Sequence, residues 1–419
     1  MAKRLTYLIL AGLVLGIVVG WALNASIGDP ERLKAIAGYI SIVTQVFLHL
    51  IKMIIAPLVF GTLVVGIAHM GDTAALGRVG IKSIGWFIFA SLTSLTLGLI
   101  ISHLLQPGAA LNLPLPAATA ASGVDRSAFD AGKIILHIFP TSIVDAMATN
   151  EILQIVIFSI FFGVAITAVG EKAKPLVTAA EALTAVMLKI TDYVMRFAPL
   201  AVFAAVTATL AEQGPGVIGK LAYFMGSVYL GLGLLWALLG LFAFFIIGPR
   251  VVELAREIRE PILLAFSTAS SEAAFPRTLE GLERFGVPNR IASFVLPLGY
   301  SFNLDGSMMY MTAASLFIAQ AYGIHLDLGT QIAMLLTLMI TSKGIAGVPR
   351  ASLVVIAATL SQFNIPEAGL LLVLAVDHFL DMGRSATNVV GNAVASAVVA
   401  KWEGGLAPSG RGELEAPSS

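Results

Sequence analysis

Apolar stretches of membrane-spanning length alternate with short polar segments along the N-terminal part of the chain. A helix needs about 20 apolar residues to cross a hydrocarbon core about 30 Å thick. The pattern therefore predicts six spanning helices, at about residues 5–24, 38–68, 82–105, 151–170, 175–211 and 218–247. An amphipathic segment is expected before the fourth span at about 131–147, and a break between the fifth and the sixth at Glu212-Gln213-Gly214-Pro215-Gly216.

The pattern changes after Arg259. Two segments, about 256–288 and about 328–363, each begin apolar and then become small and polar. The first breaks at Pro276, and the second continues into another apolar stretch. Each is too short to cross a bilayer and return as two full helices. Both are therefore predicted to be re-entrant hairpins, which are tolerated only inside protein or beside water. The tips are Ser270-Ser271-Glu272 and Ser342-Lys343-Gly344. The alternative is two amphipathic loops on the surface.

A polar-interrupted apolar helix follows each hairpin. Asn303-Leu304-Asp305-Gly306 interrupts the first, and the stretch 377–392 interrupts the second. Interrupted segments at matching places in two repeats point to the binding site of a secondary transporter. The pattern predicts an all-α polytopic membrane protein with eight transmembrane helices and two re-entrant helical hairpins.

Composition agrees with this pattern. Of the 419 residues 58% are hydrophobic and 12% charged, whereas a soluble domain carries about 25% charge. The net charge is zero, so no nucleic acid partner is implied, and the chain has no cysteine to ligate a metal or act as a nucleophile. Lys and Arg residues concentrate at one set of span ends. This bias predicts that both termini are cytoplasmic. The first apolar run is nearly twenty residues long, which favours an uncleaved span over a signal peptide.

Five polar side chains form a stripe on the last helix. Asp377, Asp381, Arg384, Asn388 and Asn392 share an arc of roughly 80° at about 100° per residue. We call these five residues the polar stripe. Ionisable groups at membrane depth are costly and usually mark a ligand or ion site. The alternative is a self-neutralising Asp–Arg pair that only joins helices.

The stripe suits a particular substrate chemistry. Arg384 carries a planar fork of donors that matches a carboxylate, and Asp381 can accept from an ammonium group. Ser385 and Asn388 add further hydrogen-bonding groups. An Arg and an Asp on one face suit a zwitterion with an extra carboxylate, which is an acidic amino acid, whereas a plain dicarboxylate has no need of the Asp. Hydroxyl and backbone N–H groups at the first hairpin tip suit a second carboxylate.

Other polar residues suggest a cation site. Asp305 and Asp377 have no evident oppositely charged partner on their own helices, and either could bind a cation with carbonyls of Asn303 and Asn388. Glu272 is expected either to pair with Lys343 at the other hairpin tip or to reach water, and it is a candidate proton carrier because a desolvated carboxylate has a raised pKa. For His378 a packing role is expected, with a proton relay as the alternative.

The sequence contains no phosphate-binding loop, no GxSxG motif and no metal-ligand spacing of histidines. No enzyme activity and no cofactor are therefore expected, and the energy for transport would come from an ion gradient. An ion channel and a membrane-embedded hydrolase are the alternatives of other classes. A channel has no need of an Asp–Arg pair shaped for a zwitterion, and a hydrolase needs a base near its nucleophile.

Four segments resemble, in order and spacing, the motifs of the dicarboxylate/amino acid:cation symporter family, the glutamate transporter homologues. The similarity covers about residues 5–403. The segments are Ser270-Ser271-Glu272, Asn303-Leu304-Asp305-Gly306-Ser307, 342–349 (SKGIAGVP) and 381–388 (DMGRSATN). The resemblance, which is closest to bacterial proton/glutamate symporters, implies symport of L-glutamate and L-aspartate with protons, with sodium left open. The alternative is a C4-dicarboxylate:cation symporter for succinate, fumarate or malate.

The resemblance also assigns residues to roles. Arg384 would bind the side-chain carboxylate with help from Ser307, and Asp381 would bind the amino group. Asn388 and the hairpin serine Ser271 would bind the α-carboxylate. Ser270, Ser385 and the Val348 carbonyl would line the substrate site. The cation site would consist of Gly299, Asn303, Asp305, Asp377, Asn388 and Asn392.

This chain departs from the sodium-coupled members of the family. It has Leu304 where they have Met and Asn392 where they have Asp, and Phe87 and Ala90 where they carry Tyr and Thr. These departures remove oxygen ligands and favour protons as the coupling ion. Asp381 is typically absent from the C4-dicarboxylate branch and favours amino acids. Arg350 adds a charge near the second hairpin, and its role is not assigned.

The resemblance implies a homotrimer in the inner membrane that has inverted repeats and works by an elevator mechanism. Residues 1–80 and 131–212 would form the trimerisation scaffold, with helices 1, 2, 4 and 5. Residues 81–108 and 216–403 would form the moving transport domain, with helices 3, 6, 7 and 8, the first hairpin and the second hairpin as the gate. A disordered cytoplasmic tail is expected at 404–419.

Overall fold

A computed structural model describes residues 2–70, 73–109, 136, 139–342, 351–374 and 376–408. All regular secondary structure within these ranges is helical. The all-α prediction is therefore confirmed for the described part of the chain.

The N-terminal part of the chain forms long helices. The bounds are α1 Ala2–Ser26, α2 Pro30–Met70, α3 Thr73–Leu105, α4 Ile143–Ala148, α5 Ile152–Val169, α6 Lys174–Met195 and α7 Ala198–Ile247.

The C-terminal part consists of shorter helices interrupted by breaks. The bounds are α8 Val251–Glu257, α9 Arg259–Thr268, α10 Phe275–Phe285, α11 Asn289–Phe302, α12 Asp305–Ala321, α13 Leu328–Thr341, α14 Ala351–Gln362, α15 Leu370–Leu374 and α16 Asp377–Trp402. Single turns of 3-10 helix lie at Gly170–Ala173, Gly248–Arg250, Glu272–Ala274 and Glu367–Gly369.

Several helices are long and apolar enough to cross a membrane. Among the described residues, four helical stretches meet this condition: Tyr7–Ser26, Leu76–Leu105, Leu153–Met195 and Leu221–Glu257. Large apolar side chains also point outward from α1, where Val14, Leu15 and Trp21 are more than half exposed. Apolar surface of this kind requires a hydrocarbon environment, so the chain is embedded in a membrane.

The first predicted hairpin is a helix, a break and a second helix. α9 ends at Ala269, whose φ of 49° is left-handed, a conformation that a non-glycine residue rarely adopts. A 3-10 turn follows, and Pro276 occupies the first turn of α10, where a missing N–H is harmless. α10 ends at Gly286, which has a φ of 105° and whose N–H donates to the carbonyls of Leu282 and Glu283.

The second predicted hairpin is described on both sides of its tip. Asp327 begins α13 by accepting a hydrogen bond from Thr330 N at 3.1 Å, and α14 runs from Ala351 to Gln362. Residues 343–350 lie outside the described residues, so the tip residues Lys343, Val348 and Arg350 do too.

α16 lies at the centre of the C-terminal part. It packs against α7, α9, α11, α12 and α3. Its residues from Met382 to Ala400 are buried throughout, both on the polar stripe and on the apolar side, where Val389 and Val398 are 0% exposed. A helix that is surrounded in this way can hold its polar side chains only against other parts of the protein.

The break predicted between the fifth and sixth spans is wrong. The helix ends instead at Arg196-Phe197, and α7 runs on from Ala198 through Glu212–Gly216 to Ile247. Pro199 occupies the first turn of α7, a position that favours the start of a helix. At 1.5 Å per residue a helix of 50 residues is about 75 Å long, which exceeds twice the hydrocarbon thickness. The eight crossings and the scaffold and transport boundaries stay predictions.

Candidate functional site

The polar stripe lies on α16 and begins at its first residue. Asp377 occupies the first turn of this helix, where a carboxylate is stabilised by the helix dipole. Arg384, Asn388 and Asn392 are buried, and the side chain of Asp381 is 39% exposed. The stripe therefore has one open carboxylate and a deeply buried guanidinium.

Arg384 contacts two carboxylates of its own helix. Its Nη2 atom lies 3.1 Å from Asp377 Oδ1 and 2.9 Å from Asp381 Oδ1. Its other donor atoms, Nε and Nη1, are buried without a hydrogen-bond acceptor in the described part of the chain. A buried guanidinium with unused N–H groups is costly unless an anion satisfies them. The unused donors therefore identify a place for an anionic ligand.

Tyr310 of α12 holds this arrangement from the side. Its hydroxyl donates to Asp377 Oδ1 at 2.9 Å, and the Arg384 guanidinium carbon lies 4.0 Å from the centre of its ring. The ring attracts the cation, and the hydroxyl competes with the guanidinium for the Asp377 carboxylate. Sequence reasoning missed this residue. A tyrosine close after Asp305 at membrane depth was the available signal, because a buried tyrosine hydroxyl needs a partner.

The break between α11 and α12 faces α16. Asn303 and Leu304 have non-helical backbone, and α12 starts at Asp305. The first N–H groups of a helix have no partner within it. Asn388 supplies one, because its Oδ1 accepts from Gly306 N at 2.9 Å and from Ser307 N at 3.4 Å. Asn388 Nδ2 also donates to Ser307 Oγ at 3.2 Å, which leaves its second N–H for another acceptor.

A second polar group forms one layer further along α16. Asn303 Nδ2 donates to Asp305 Oδ2 at 3.0 Å and to Asn392 Oδ1 at 3.2 Å. Asp305 Oδ1 accepts from Ser94 of α3 at 3.4 Å. Asn303 Oδ1 is buried without a donor in the described part of the chain. The carboxylate and this amide oxygen are ligands of the kind that hard cations prefer.

The surroundings of this second group are partly apolar. A Cβ atom added to Gly299 would lie 2.3 Å from Asn392 Oδ1 and 3.6 Å from Cζ of Phe87. Ala90 is fully buried, and its carbonyl accepts from Ser94 Oγ at 2.8 Å. The Phe87 ring and the Asn392 amide therefore both lie near Gly299, and the ring carries no oxygen.

The structure divides the residues predicted for the cation site. Gly299, Asn303, Asp305 and Asn392 lie together, whereas Asp377 bonds to Arg384 and Tyr310 instead. The expectation that Asp377 has no oppositely charged partner on its helix is wrong, because the long Arg384 side chain reaches back two turns.

The first hairpin tip is partly buried. Ser270 Oγ accepts from Ala273 N at 3.2 Å, so this hydroxyl caps the short 3-10 turn. Ser271 and Glu272 follow, and the turn that they begin packs against α2. No described hydrogen bond joins Ser270 or Ser271 to Arg384.

The chain is similar to known proteins along almost its whole length. The sequence profile of the sodium:dicarboxylate symporter family matches residues 5–402. The chain belongs to the sodium:dicarboxylate symporter family. The family assigned from the four motifs is thereby confirmed, and it is a family of membrane transporters.

Relatives of known activity match almost the full chain. A proton/glutamate-aspartate symporter from Escherichia coli is 42% identical over 409 residues, 95% of this chain and 93% of its own length. A proton/sodium-glutamate symport protein from Bacillus caldotenax is 39% identical over 406 residues, 96% of this chain and 94% of its own length. A C4-dicarboxylate transport protein from Stenotrophomonas maltophilia is 39% identical over 410 residues, 96% of this chain and 89% of its own length.

Proposed function

We propose that this chain is a symporter that carries L-glutamate and L-aspartate into the cell together with protons. The observation that carries the proposal is the buried Arg384, two of whose donor atoms have no acceptor in the described part of the chain, beside the partly open carboxylate of Asp381. An acidic amino acid satisfies both groups at once, because its side-chain carboxylate accepts from the guanidinium and its ammonium donates to Asp381.

Each site residue has a role in this proposal. Arg384 binds the side-chain carboxylate with help from Ser307, and Asp381 binds the amino group. The free N–H of Asn388 and the hydroxyl of Ser271 bind the α-carboxylate. Ser270, Ser385 and the carbonyl of Val348 line the site.

Protons are the proposed coupling ion. The group around Asn303 and Asp305 offers a carboxylate and an amide oxygen, but Asn392 contributes an amide where a carboxylate would attract sodium more strongly. The ring of Phe87 adds no oxygen. Glu272 is the proposed proton carrier, at the hairpin tip. Sodium coupling is the alternative, supported by relatives named for both ions.

The proposed assembly is a homotrimer in the inner membrane with cytoplasmic termini. Residues 1–80 and 131–212 form a fixed scaffold, and residues 81–108 and 216–403 form a domain that carries the substrate across by an elevator motion. Family membership supports this architecture.

Uptake into proteoliposomes tests the function. Purified protein should accumulate L-glutamate under a pH gradient in sodium-free buffer, and an uncoupler should abolish accumulation. Arg384→Ala should lose acidic substrates, since a bidentate charged contact is removed, while Arg78→Ala, which removes a half-exposed arginine near the start of α3, serves as the matched control. Glutamate uptake by Arg384→Ala at the wild-type rate would refute the site, and a strict sodium requirement would refute proton coupling.

A C4-dicarboxylate:cation symporter is the second candidate. Relatives bearing that name match 86–96% of the chain at 39–43% identity, and Arg384 suits any carboxylate. Asp381 distinguishes the two functions, because it attracts an ammonium group and repels a second carboxylate. Wild-type protein should prefer aspartate, and Asp381→Ser should shift preference toward succinate. Strong wild-type succinate uptake with unchanged selectivity in Asp381→Ser would favour the second candidate.

A further inference from the structure

Two ring donors on α7 hydrogen-bond to α16 at two levels. The Tyr229 hydroxyl donates to Phe379 O at 2.5 Å, and Trp236 Nε1 donates to Thr387 Oγ1 at 2.8 Å. Residues 379 and 387 are eight positions apart, which is about 12 Å along a helix. The two bonds therefore bracket the middle of the polar stripe, where the proposed substrate ligands lie.

Both bonds reach α16 from behind the polar stripe. At about 100° per residue, Phe379, Gly383 and Thr387 share a face that lies roughly 140° round the helix from the centre of the stripe. α7 packs tightly here, since a Cβ on Gly383 would lie 2.8 Å from Cε1 of Tyr229 and 2.9 Å from Cδ1 of Leu232. Because residue 383 is a glycine, α7 and α16 can approach each other closely on this face.

The hydrogen bond from Trp236 ends on the Thr387 hydroxyl, which both donates and accepts. Thr387 is buried, its hydroxyl donates to Gly383 O at 2.8 Å, and the same oxygen accepts from Trp236. On another side, a Cβ on Gly306 would lie 2.7 Å from the Thr387 Cβ. Thr387 is therefore held between α7 and α12, and loss of the indole N–H leaves its buried oxygen short of a donor.

We propose that Tyr229 and Trp236 are positioning residues that fix the rotation and the axial position of α16, and thereby set the affinity and selectivity of the substrate site. The polar stripe is joined to α12 by the bonds from the Tyr310 hydroxyl to Asp377 Oδ1 and from Gly306 N to Asn388 Oδ1, both 2.9 Å long, and a small rotation of α16 would disturb both. Binding groups act well only when they are held within about 0.5 Å and 10–20° of their working geometry. The inference rests on the proposed function for the identity of the substrate.

Conservative variants test the inference. Tyr229→Phe and Trp236→Phe keep an aromatic ring and lose the donor. Each should weaken binding of L-aspartate by about fivefold, the equivalent of one net hydrogen bond, and the double variant by more than either. Both should also narrow the preference for L-aspartate over succinate, because Asp381, which binds the amino group in the proposed site, is displaced from the residues that bind the carboxylates.

Matched controls remove the same chemical groups elsewhere. Tyr223→Phe removes a hydroxyl on the same helix that donates to Leu105 O of α3 rather than to α16. Trp86→Phe removes a buried indole N–H that has no acceptor in the described part of the chain. Affinity and selectivity should stay at wild-type values in both. Equal losses in controls and test variants would reduce Tyr229 and Trp236 to packing residues and overturn the inference.

A readout without substrate separates this inference from the proposed function. The chain has no cysteine, so a single Ser385→Cys can report on the stripe by its rate of labelling with a methanethiosulfonate reagent. The rate should change severalfold in Tyr229→Phe and Trp236→Phe, and unchanged rates would overturn the positioning role whatever the substrate is.

The acceptor side gives an independent pair of variants. Thr387→Val removes the hydroxyl and should reproduce the effect of Trp236→Phe, whereas Thr387→Ser keeps the hydroxyl and should restore the wild-type affinity and labelling rate. If Thr387→Ser and Thr387→Val behave alike, the bond to Trp236 has no positioning role. If wild-type protein binds no acidic amino acid, the proposed function fails while the labelling comparison still decides this inference.

Discussion

At Gly306, α12 lies so close to α16 that the space between the two helices cannot hold a methyl group. A Cβ at this position would lie 2.5 Å from Arg384 O, 3.0 Å from Arg384 Cα and 2.7 Å from Thr387 Cβ. Two of these atoms belong to helix backbone and cannot rotate away. Because carbon contacts are normal only from about 3.5 Å, Gly306→Ala should force the two helices apart by about 1 Å.

The free-energy change follows from two opposed effects. Alanine favours a helix over glycine by about 1 kcal/mol, whereas overpacking a close contact costs about 1–3 kcal/mol. Separation of the helices also lengthens the bond from Gly306 N to Asn388 Oδ1, now 2.9 Å, which is worth about 0.5–1.5 kcal/mol. The clash outweighs the gain in propensity, so a net destabilisation of about 1–2 kcal/mol is expected.

Substrate binding should respond more strongly than stability. A displacement of about 1 Å at a site can reduce its efficiency about 100-fold, and both Arg384 and Asn388 lie on the displaced face. Equilibrium binding of L-aspartate and thermal unfolding in the same detergent measure the two effects. Gly226→Ala and Gly233→Ala on α7 are the controls, because no atom lies within 4 Å of an added Cβ there. Wild-type affinity and stability in Gly306→Ala would refute the argument.

Two further predictions concern groups outside the polar stripe. Arg277 of α10 lies 2.7 Å from Asp192 of α6, and Asp192 is about half exposed, so in the proposed elevator motion Asp192→Asn should shift the balance between positions of the transport domain by no more than about fivefold; distance measurements between labels on α6 and α10 would detect it, and a larger shift would contradict a surface pair. The hydroxyl and N–H of Thr330 lower the pKa of the Asp327 carboxyl. Its stabilisation of α13 should therefore persist above the unfolded pKa of about 3.9 and fade only as the pH falls through the lower native pKa; hydrogen exchange at Thr330 measures this, with Asp327→Asn as a capping control without that pH dependence, and fading near neutral pH would contradict it.

Local pattern was enough to predict part of the fold and site. The spacing of Asp381, Arg384 and Asn388 placed them on one helical face, and the structure has them on α16. Small polar residues followed by Pro276 predicted a broken hairpin, and the structure has a left-handed Ala269 between α9 and α10. Both predictions depend only on neighbours within a few turns.

Other features depend on helices that are distant in sequence. The bond from Tyr310 to Asp377 joins α12 to α16, and those of Tyr229 and Trp236 join α7 to α16. No periodicity within one helix can indicate which faces meet. The continuous helix across residues 212–216 shows a further limit, because Gly and Pro favour a break there and α7 has none.

The N-terminus of α12 is shared between the two halves of the site. Asp305 contributes its carboxylate to the group with Asn303 and Asn392, while the next two N–H groups are held by the Asn388 amide. A ligand that displaces the Asn388 side chain therefore acts directly on the peptide groups that follow Asp305. If substrate binds to Asn388 and a cation binds to Asp305, as proposed, then whatever factor substrate adds to the cation affinity, the cation must add to the substrate affinity. The coupling free energy between the two proposed sites would then depend on three consecutive residues at the start of a helix.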